Sequence, residues 1–136
     1  MVLVRFGFVG LVHSIDPEHL FRAGALPISD WRGPRAVCGR HYFLVGTRIG
    51  DECVLYPAFT NPGRARIEIR SFDKFGGPDW TCGSSYLDPR QAWQCSETIL
   101  EHCVNARFRG RHGVHRRLLE SLSVFLAPMN DNEVVR

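Results

Sequence analysis

Residues 36–60, Ala-Val-Cys-Gly-Arg-His-Tyr-Phe-Leu-Val-Gly-Thr-Arg-Ile-Gly-Asp-Glu-Cys-Val-Leu-Tyr-Pro-Ala-Phe-Thr, constrain the chain more than any other stretch. Two apolar runs flank Gly50-Asp51, a dipeptide that supplies the positive φ a short hairpin loop requires, so the segment reads as a pair of core strands. The rest of the chain is arranged around them. Closing the hairpin brings Arg40 and His41, at the entrance of the first strand, and Thr60, at the exit of the second, towards one rim. These three are the candidate catalytic residues.

The remaining pattern supplies short elements to pack on that hairpin. Residues 2–12 read as a strand covered on both sides. Asp16-Pro17-Glu18 opens a helix over 17–23, with a carboxylate N-cap and proline at the first helical position, and Gly24 ends it. A connector follows over 25–35. After the Asn61-Pro62-Gly63 turn, residues 64–70 alternate, with Arg64, Arg66, Glu68 and Arg70 on a solvated face. A glycine-rich connector over 73–83 leads to strands at 84–87 and 91–95, separated by a turn at Asp88-Pro89. Helices are expected from Ser96 to about 105 and from Val114 to Leu126, the latter with an apolar stripe of Leu118, Leu119, Leu122, Phe125 and Leu126. Short links between consecutive strands favour a mostly β fold with α elements, a small antiparallel SH3-like β-barrel carrying C-terminal helices. A chain of 136 residues builds one core, so residues 1–128 are expected as a single domain and 129–136 as a flexible tail.

Composition narrows the function classes. No segment reaches the apolar length of a membrane span. The apolar N-terminus is interrupted by Arg5 and lacks a small-x-small cleavage site, so it reads as a strand rather than a signal peptide. The five cysteines have no tight Cys-x-x-Cys spacing, which fits buried thiols in a reducing, cytoplasmic setting. Sixteen of the seventeen basic residues are arginine, and Lys74 is the only lysine. Arginine suits phosphates and bases, although GC-rich coding gives the same bias.

Residues 105–117 hold five arginines, two histidines, Phe108 and no acid. Arg107, Phe108, Arg109, Arg111 and Arg116 can neutralise phosphates and stack a base, as can Trp31 and Arg32 in the first connector. An acidic protein partner and an inert solvated linker are the alternatives for this segment. Cys38-Gly39-Arg40-His41, with Cys95, His102 and Cys103, offers sulfur and nitrogen atoms for zinc. In a strand, however, positions 38 and 41 point to opposite faces, and neither a metal nor another cofactor is expected.

Within the hairpin, Gly39-Arg40-His41-Tyr42-Phe43-Leu44-Val45 resembles the Arg-Pro-x-x-Val strand of the PemK/MazF toxin family. Val54-Leu55-Tyr56-Pro57-Ala58-Phe59-Thr60 resembles the family's next strand, which ends in Pro-x-Thr or Pro-x-Ser. Ser84-Ser85-Tyr86-Leu87 with Gln91 and Trp93 is similar to its Ser-Tyr-Val segment and downstream Gln. The similarity covers about residues 36–126. It implies an SH3-like barrel, commonly a dimer, that cleaves single-stranded RNA without a metal and is countered by an antitoxin. Arg40 then matches the arginine with acid-base and phosphate-stabilising roles, and Thr60 the hydroxyl that holds the scissile phosphate. His41 stands where the family has proline and offers a general base near neutrality. One extra residue precedes Thr60, and a one-residue slip turns a side chain to the opposite face, so the strand register decides whether Thr60 joins Arg40. A non-catalytic barrel that binds a protein or nucleic acid through its arginine-rich surface, inhibiting a larger complex, is the alternative.

Overall fold

The computed structural model describes residues 6–27, 39–104 and 111–122. Within them the chain forms β1 (Leu11–Ile15), α1 (Pro17–Ala23), β2 (Leu26–Pro27), β3 (His41–Ile49), β4 (Glu52–Phe59) and β5 (Ile67–Ile69). A 3-10 turn (Ser71–Asp73), β6 (Lys74–Phe75), α2 (Pro78–Thr81), β7 (Ser85–Leu87), β8 (Trp93–Ser96), α3 (Glu97–Cys103) and β9 (His112–Val114) follow. A last helix, α4, occupies residues 116–122. The strands lie in the order β2-β8-β4-β3-β1-β9-β6, with β7 beside β4 and β5 beside β7. Every pairing among them is antiparallel. The fold is therefore mostly antiparallel β with a few helices. β5 ends the branch that leaves β4 through β7 and β6 ends the main path on the far side of β3, yet the two are separated in the chain only by residues 70–73. The sheet must curl to allow this.

The hairpin turns as its sequence requires. Ile49 pairs with Glu52 across Gly50-Asp51, and Gly50 takes the positive φ of 60°. Both strands are buried on both faces. Phe43, Val45, Cys53 and Leu55 pack with Ile15, Leu20, Leu100 and Cys103, under α1 and α3. Leu44, Val54, Tyr56 and Ala58 pack on the other face with Val12, Ile69, Trp80, Leu87 and Leu122. Fully burying each such side chain contributes about 1.5–3 kcal/mol, which makes the hairpin the main source of apolar stabilisation. Pro57 fits in this central strand because of what lies beside it. β8 pairs with β4 only over Glu52–Leu55 and β7 only over Ala58 and Phe59. Between them the Pro57 carbonyl accepts from the Asp88 N–H at 3.0 Å. A strand residue aims its N–H and C=O to the same side, so the N–H that proline lacks falls at the gap between two partner strands.

α1 forms as expected. The Asp16 carboxylate accepts from the Glu18 N–H at 3.0 Å, and Gly24 closes the helix at φ 104°. Gly24 N–H donates to Phe21 O and Ala25 N–H to Leu20 O, the paired bonds of a Schellman stop.

Several boundaries differ from expectation. Residues 6–10 are not a strand. Gly10, at φ 101°, turns the chain into β1, and the Phe6 and Gly7 N–H groups donate to Glu97 Oε2 at 3.1 and 3.0 Å. Glu97 Oε1 accepts from Arg48 Nη1 at 2.7 Å, so one carboxylate ties the N-terminal segment, β3 and α3 together. A Cβ on Gly7 would overlap Glu97, Arg48 and Cys53. The alternating run 64–70 pairs only over Ile67–Ile69, because Ala65 has φ 66° and Arg66 N–H closes a turn on Gly63 O. The 73–83 connector contains β6 and α2. Val114 belongs to β9, paired with β1 and β6, rather than to the last helix. Consequently α3 lies between two strands, and among the described residues only α4 follows the sheet. Among the described residues no helix is long and apolar enough to cross a membrane.

Two measurements check this account. Glu97→Ala should lower unfolding stability by about 2–4 kcal/mol, since it strands two backbone donors and a mostly buried arginine. Glu68→Ala, which breaks a 3.8 Å pair between exposed side chains, should change it by less than about 1 kcal/mol. Both are read by denaturant titration. The second check is the acid response. Burial lowers the His13 pKa against the opposing effects of its bond to the Phe6 carbonyl and of Glu97, and it lowers that of His112 against Asp79. Below the ordinary histidine value of about 6.5 the unfolded chain binds protons that the folded chain refuses. Stability should therefore be full above that pH and fall as pH drops through it, and His13→Gln should flatten the fall.

Candidate functional site

The open end of the β3–β4 hairpin is where the candidate residues meet. Tyr42 pairs with Ala58 and Phe43 with Pro57. Continuing that register two steps past Tyr42 and Ala58 sets position 40 level with position 60, on the face that carries Tyr42 and Ala58. Level residues of antiparallel strands share a face. The one irregularity between β3 and β4 lies at Gly46, between Val45 and Thr47, and the pairing from Leu55 to Ala58 is regular. Arg40 and Thr60 each lie one residue beyond their strands, so the parity they share is that of the extended register. Both residues are exposed, and neither side chain makes a hydrogen bond or ion pair among the described residues.

His41 has the other parity. Its ring meets Phe59 edge-on, 4.9 Å between centroids, on the face opposite to the one that positions 40 and 60 continue. His41 Nδ1 lies 3.0 Å from the Gly39 carbonyl. A carbonyl only accepts, so Nδ1 carries the proton and Nε2 is left as the basic nitrogen of the neutral ring. His41 therefore has the tautomer of a general base but borders the rim from the opposite side of the strand.

Arg66 is a residue the sequence reading misplaced. Assigned to a solvated face, it is folded back with its side chain only 8% exposed. Its Cζ lies 3.8 Å from the centroid of Phe59, its Nε 3.4 Å from Asp88 Oδ2, and its Nη1 donates to Asn61 O at 3.1 Å. Asp88 is fully buried. It also accepts from the Arg90 N–H, Nε and Nη2 at 3.0, 3.0 and 2.9 Å and from Gln91 Nε2 at 3.1 Å. Burial alone would raise the Asp88 pKa, but the bonds from Arg90 and Gln91 outweigh it and hold the carboxyl below its ordinary value. The cluster fixes Phe59, and with it the strand end that carries Thr60. No pattern in residues 61–66 announces this, because the turn at Ala65 and the partner at Asp88 are tertiary facts.

On the Tyr42 face the rim continues into an aromatic cluster. Tyr42 lies 5.1 Å from Trp80 and 6.0 Å from His112, centroid to centroid. The Gly77 N–H donates to His112 Nδ1 at 3.0 Å, which keeps that nitrogen unprotonated. Trp80 Nε1 donates to Gly113 O at 2.9 Å.

Trp31, Arg32, Arg107, Phe108 and Arg109 lie outside the described residues. Arg111 and Arg116 are both exposed, Arg116 at the first residue of α4, where the helix dipole favours an anion rather than a cation. Of the proposed zinc ligands Cys38 lies outside the described residues, and Cys95 and Cys103 are buried free thiols in the apolar layer under α1 and α3. Burial pushes the Cys95 thiol up to about 12.

No family model, curated protein or solved structure matches the chain.

Asp88→Ala should destabilise the protein by about 3–5 kcal/mol, because it leaves Arg66 buried without its carboxylate. Arg64→Ala, an exposed position, should be nearly silent in the same denaturant titration.

Proposed function

We propose that the chain is a PemK/MazF-like RNA-binding protein with an SH3-like barrel, acting as a metal-independent endoribonuclease on single-stranded RNA. The observation that carries this reading is the hairpin register. Extended past Tyr42 and Ala58, it puts positions 40 and 60 level at neighbouring strand ends, which supports a guanidinium and a hydroxyl acting on one phosphate. In this mechanism the RNA 2′-hydroxyl gives up its proton and attacks the adjacent phosphorus, forming a 2′,3′-cyclic phosphate as the bond to the 5′-oxygen breaks and that oxygen takes up a proton. Arg40 stabilises the charge growing on the phosphoryl oxygens, and Thr60 donates a hydrogen bond to one of them. Arginine gives up its proton with difficulty, and His41 Nε2 lies on the opposite face of the strand, against Phe59, so it removes the proton only once its ring turns from Phe59 to the rim. Exposed Arg111 and Arg116 add phosphate contacts. Dimerisation and an antitoxin partner follow from the family resemblance, a cytoplasmic setting from the cysteine pattern, and all belong to the same proposal.

The alternative, a non-catalytic module that binds a protein or nucleic acid partner, draws on His41, whose ring is engaged by Phe59 and the Gly39 carbonyl. Purified protein incubated with single-stranded RNA in the presence of a chelator separates the two. The enzyme should cleave, Arg40→Ala should lower the rate by about 100-fold or more, and Thr60→Val should lower it while leaving the melting temperature unchanged. Intact RNA across a broad sequence panel would rule out the nuclease. Arg111→Ala and Arg116→Ala should each reduce the salt slope of RNA binding by about 1.

A further inference from the structure

Lys74 is the only lysine in the chain, and it is buried, at 5% exposure. Lysines that are fully buried are ordinarily paired with carboxylates. Lys74 takes part in none of the ion pairs among the described residues. Its Nζ instead has three neutral acceptors: Trp80 O at 2.9 Å, Gly83 O at 2.9 Å and Ser85 Oγ at 2.7 Å. The Trp80 ring lies over it, 4.2 Å from centroid to Nζ. An ammonium without a counter-charge costs free energy to bury, and burial lowers its pKa, with Cys82 acting in the opposite sense.

The three acceptors are not equivalent. Two are carbonyls, which accept only, so they hold two Nζ hydrogens whatever the charge of the lysine. The third tetrahedral position faces Ser85 Oγ. As an ammonium Lys74 donates there. As an amine it presents its lone pair to the Ser85 O–H, across the same 2.7 Å and with no heavy atom moved. A hydroxyl within hydrogen-bond reach of a base that other groups orient is the arrangement of an activated nucleophile. Ser85 is half-buried, and the residues before it, Cys82 and Gly83, are exposed. A Cβ at Gly83 would meet nothing within 4 Å, so the backbone two residues before Ser85 borders open space. The neighbouring Ser84 is committed elsewhere, donating to Glu68 Oε2 at 2.8 Å.

We propose that Ser85 and Lys74 form a serine–lysine nucleophilic site that takes acyl groups from carboxylic esters, beside the ribonuclease rim but with its own nucleophile and base. Ser85 Oγ bonds to the ester carbonyl carbon while its proton passes to the Lys74 amine. The bond to the leaving oxygen breaks, and Lys74 returns the proton to that oxygen, releasing the alcohol. Water then attacks the acyl-serine, gives a proton to Lys74, and the acid departs as Ser85 Oγ recovers that proton. The sum is ester plus water to acid plus alcohol.

A fluorophosphonate probe tests the site directly, since attack forms one serine–phosphorus bond and expels fluoride. Intact-mass measurement of the whole chain should show a single adduct that maps to Ser85 and forms faster as pH rises from 7 to 10. Ser85→Ala should abolish it and Ser84→Ala should leave it unchanged. Lys74→Arg, checked for folding by circular dichroism, should slow it by about 100-fold, the scale of a lost general base. No adduct at pH 10, an adduct on another residue, or a labelling rate independent of pH would overturn the proposal. Should Lys74→Arg fail to fold, the map, the pH profile and Ser85→Ala decide the matter. RNA cleavage by Ser85→Ala is read separately, so failure of either site leaves the other standing.

Discussion

Burying the β3–β4 hairpin on both faces removes its backbone from water, and the rest of the fold answers that constraint. Each N–H and C=O of a strand covered above and below needs a partner in the sheet plane. β1 supplies partners beside β3, and β8 and β7 divide the far side of β4 between them. The place where those two partners meet is the place where β4 tolerates a proline. The helices have a matching task. α1 and α3 cover one face with Leu20 and Leu100, while Trp80 from α2 and Leu122 from α4 cover the other.

Two buried charges, Asp88 and Lys74, and the partly buried Glu97 tie this layered arrangement together. Glu97 combines an arginine with two backbone donors and so fixes the N-terminal segment to α3. Asp88 gathers Arg66, Arg90 and Gln91 and fixes the strand end at Phe59. Both are acids whose charge is matched by arginine, the expected solution for a chain with sixteen arginines. Lys74 is the exception, a cation among neutral oxygens. An arginine at that position would bring a planar fork in place of a tetrahedral donor set, and the position uses the tetrahedral geometry.

The two candidate centres belong to one end of the sheet. Phe59 pairs with Tyr86, so one further step sets position 60 level with Ser85, as it sets position 40 level with position 60. Arg40, Thr60 and Ser85 therefore continue one row across β3, β4 and β7, with Lys74 behind its last member. The strands that supply the core also align polar groups where they emerge from it.

By itself the sequence determined the hairpin, its Gly50-Asp51 turn, the capped helix after Asp16, the helix opening at Ser96 and the antiparallel, mostly β class. These depend on neighbours in the chain, on local φ preferences and on the period of apolar residues. It also brought Arg40 and Thr60 to one rim of the hairpin but left to the register whether they share a face. Only the tertiary structure decided that residues 6–10 leave the strand pattern, because a carboxylate 90 residues away takes their N–H groups. It alone decided that Arg66 turns inward, that His41 faces away from the row of Arg40, and that Val114 is strand rather than helix. Lys74 stood out in the sequence as a lone lysine, but its partners are two carbonyls and a hydroxyl drawn from α2 and the segment leading into β7. Side chains of ordinary type become a site only when distant backbone brings acceptors around them, and no local pattern encodes that encounter.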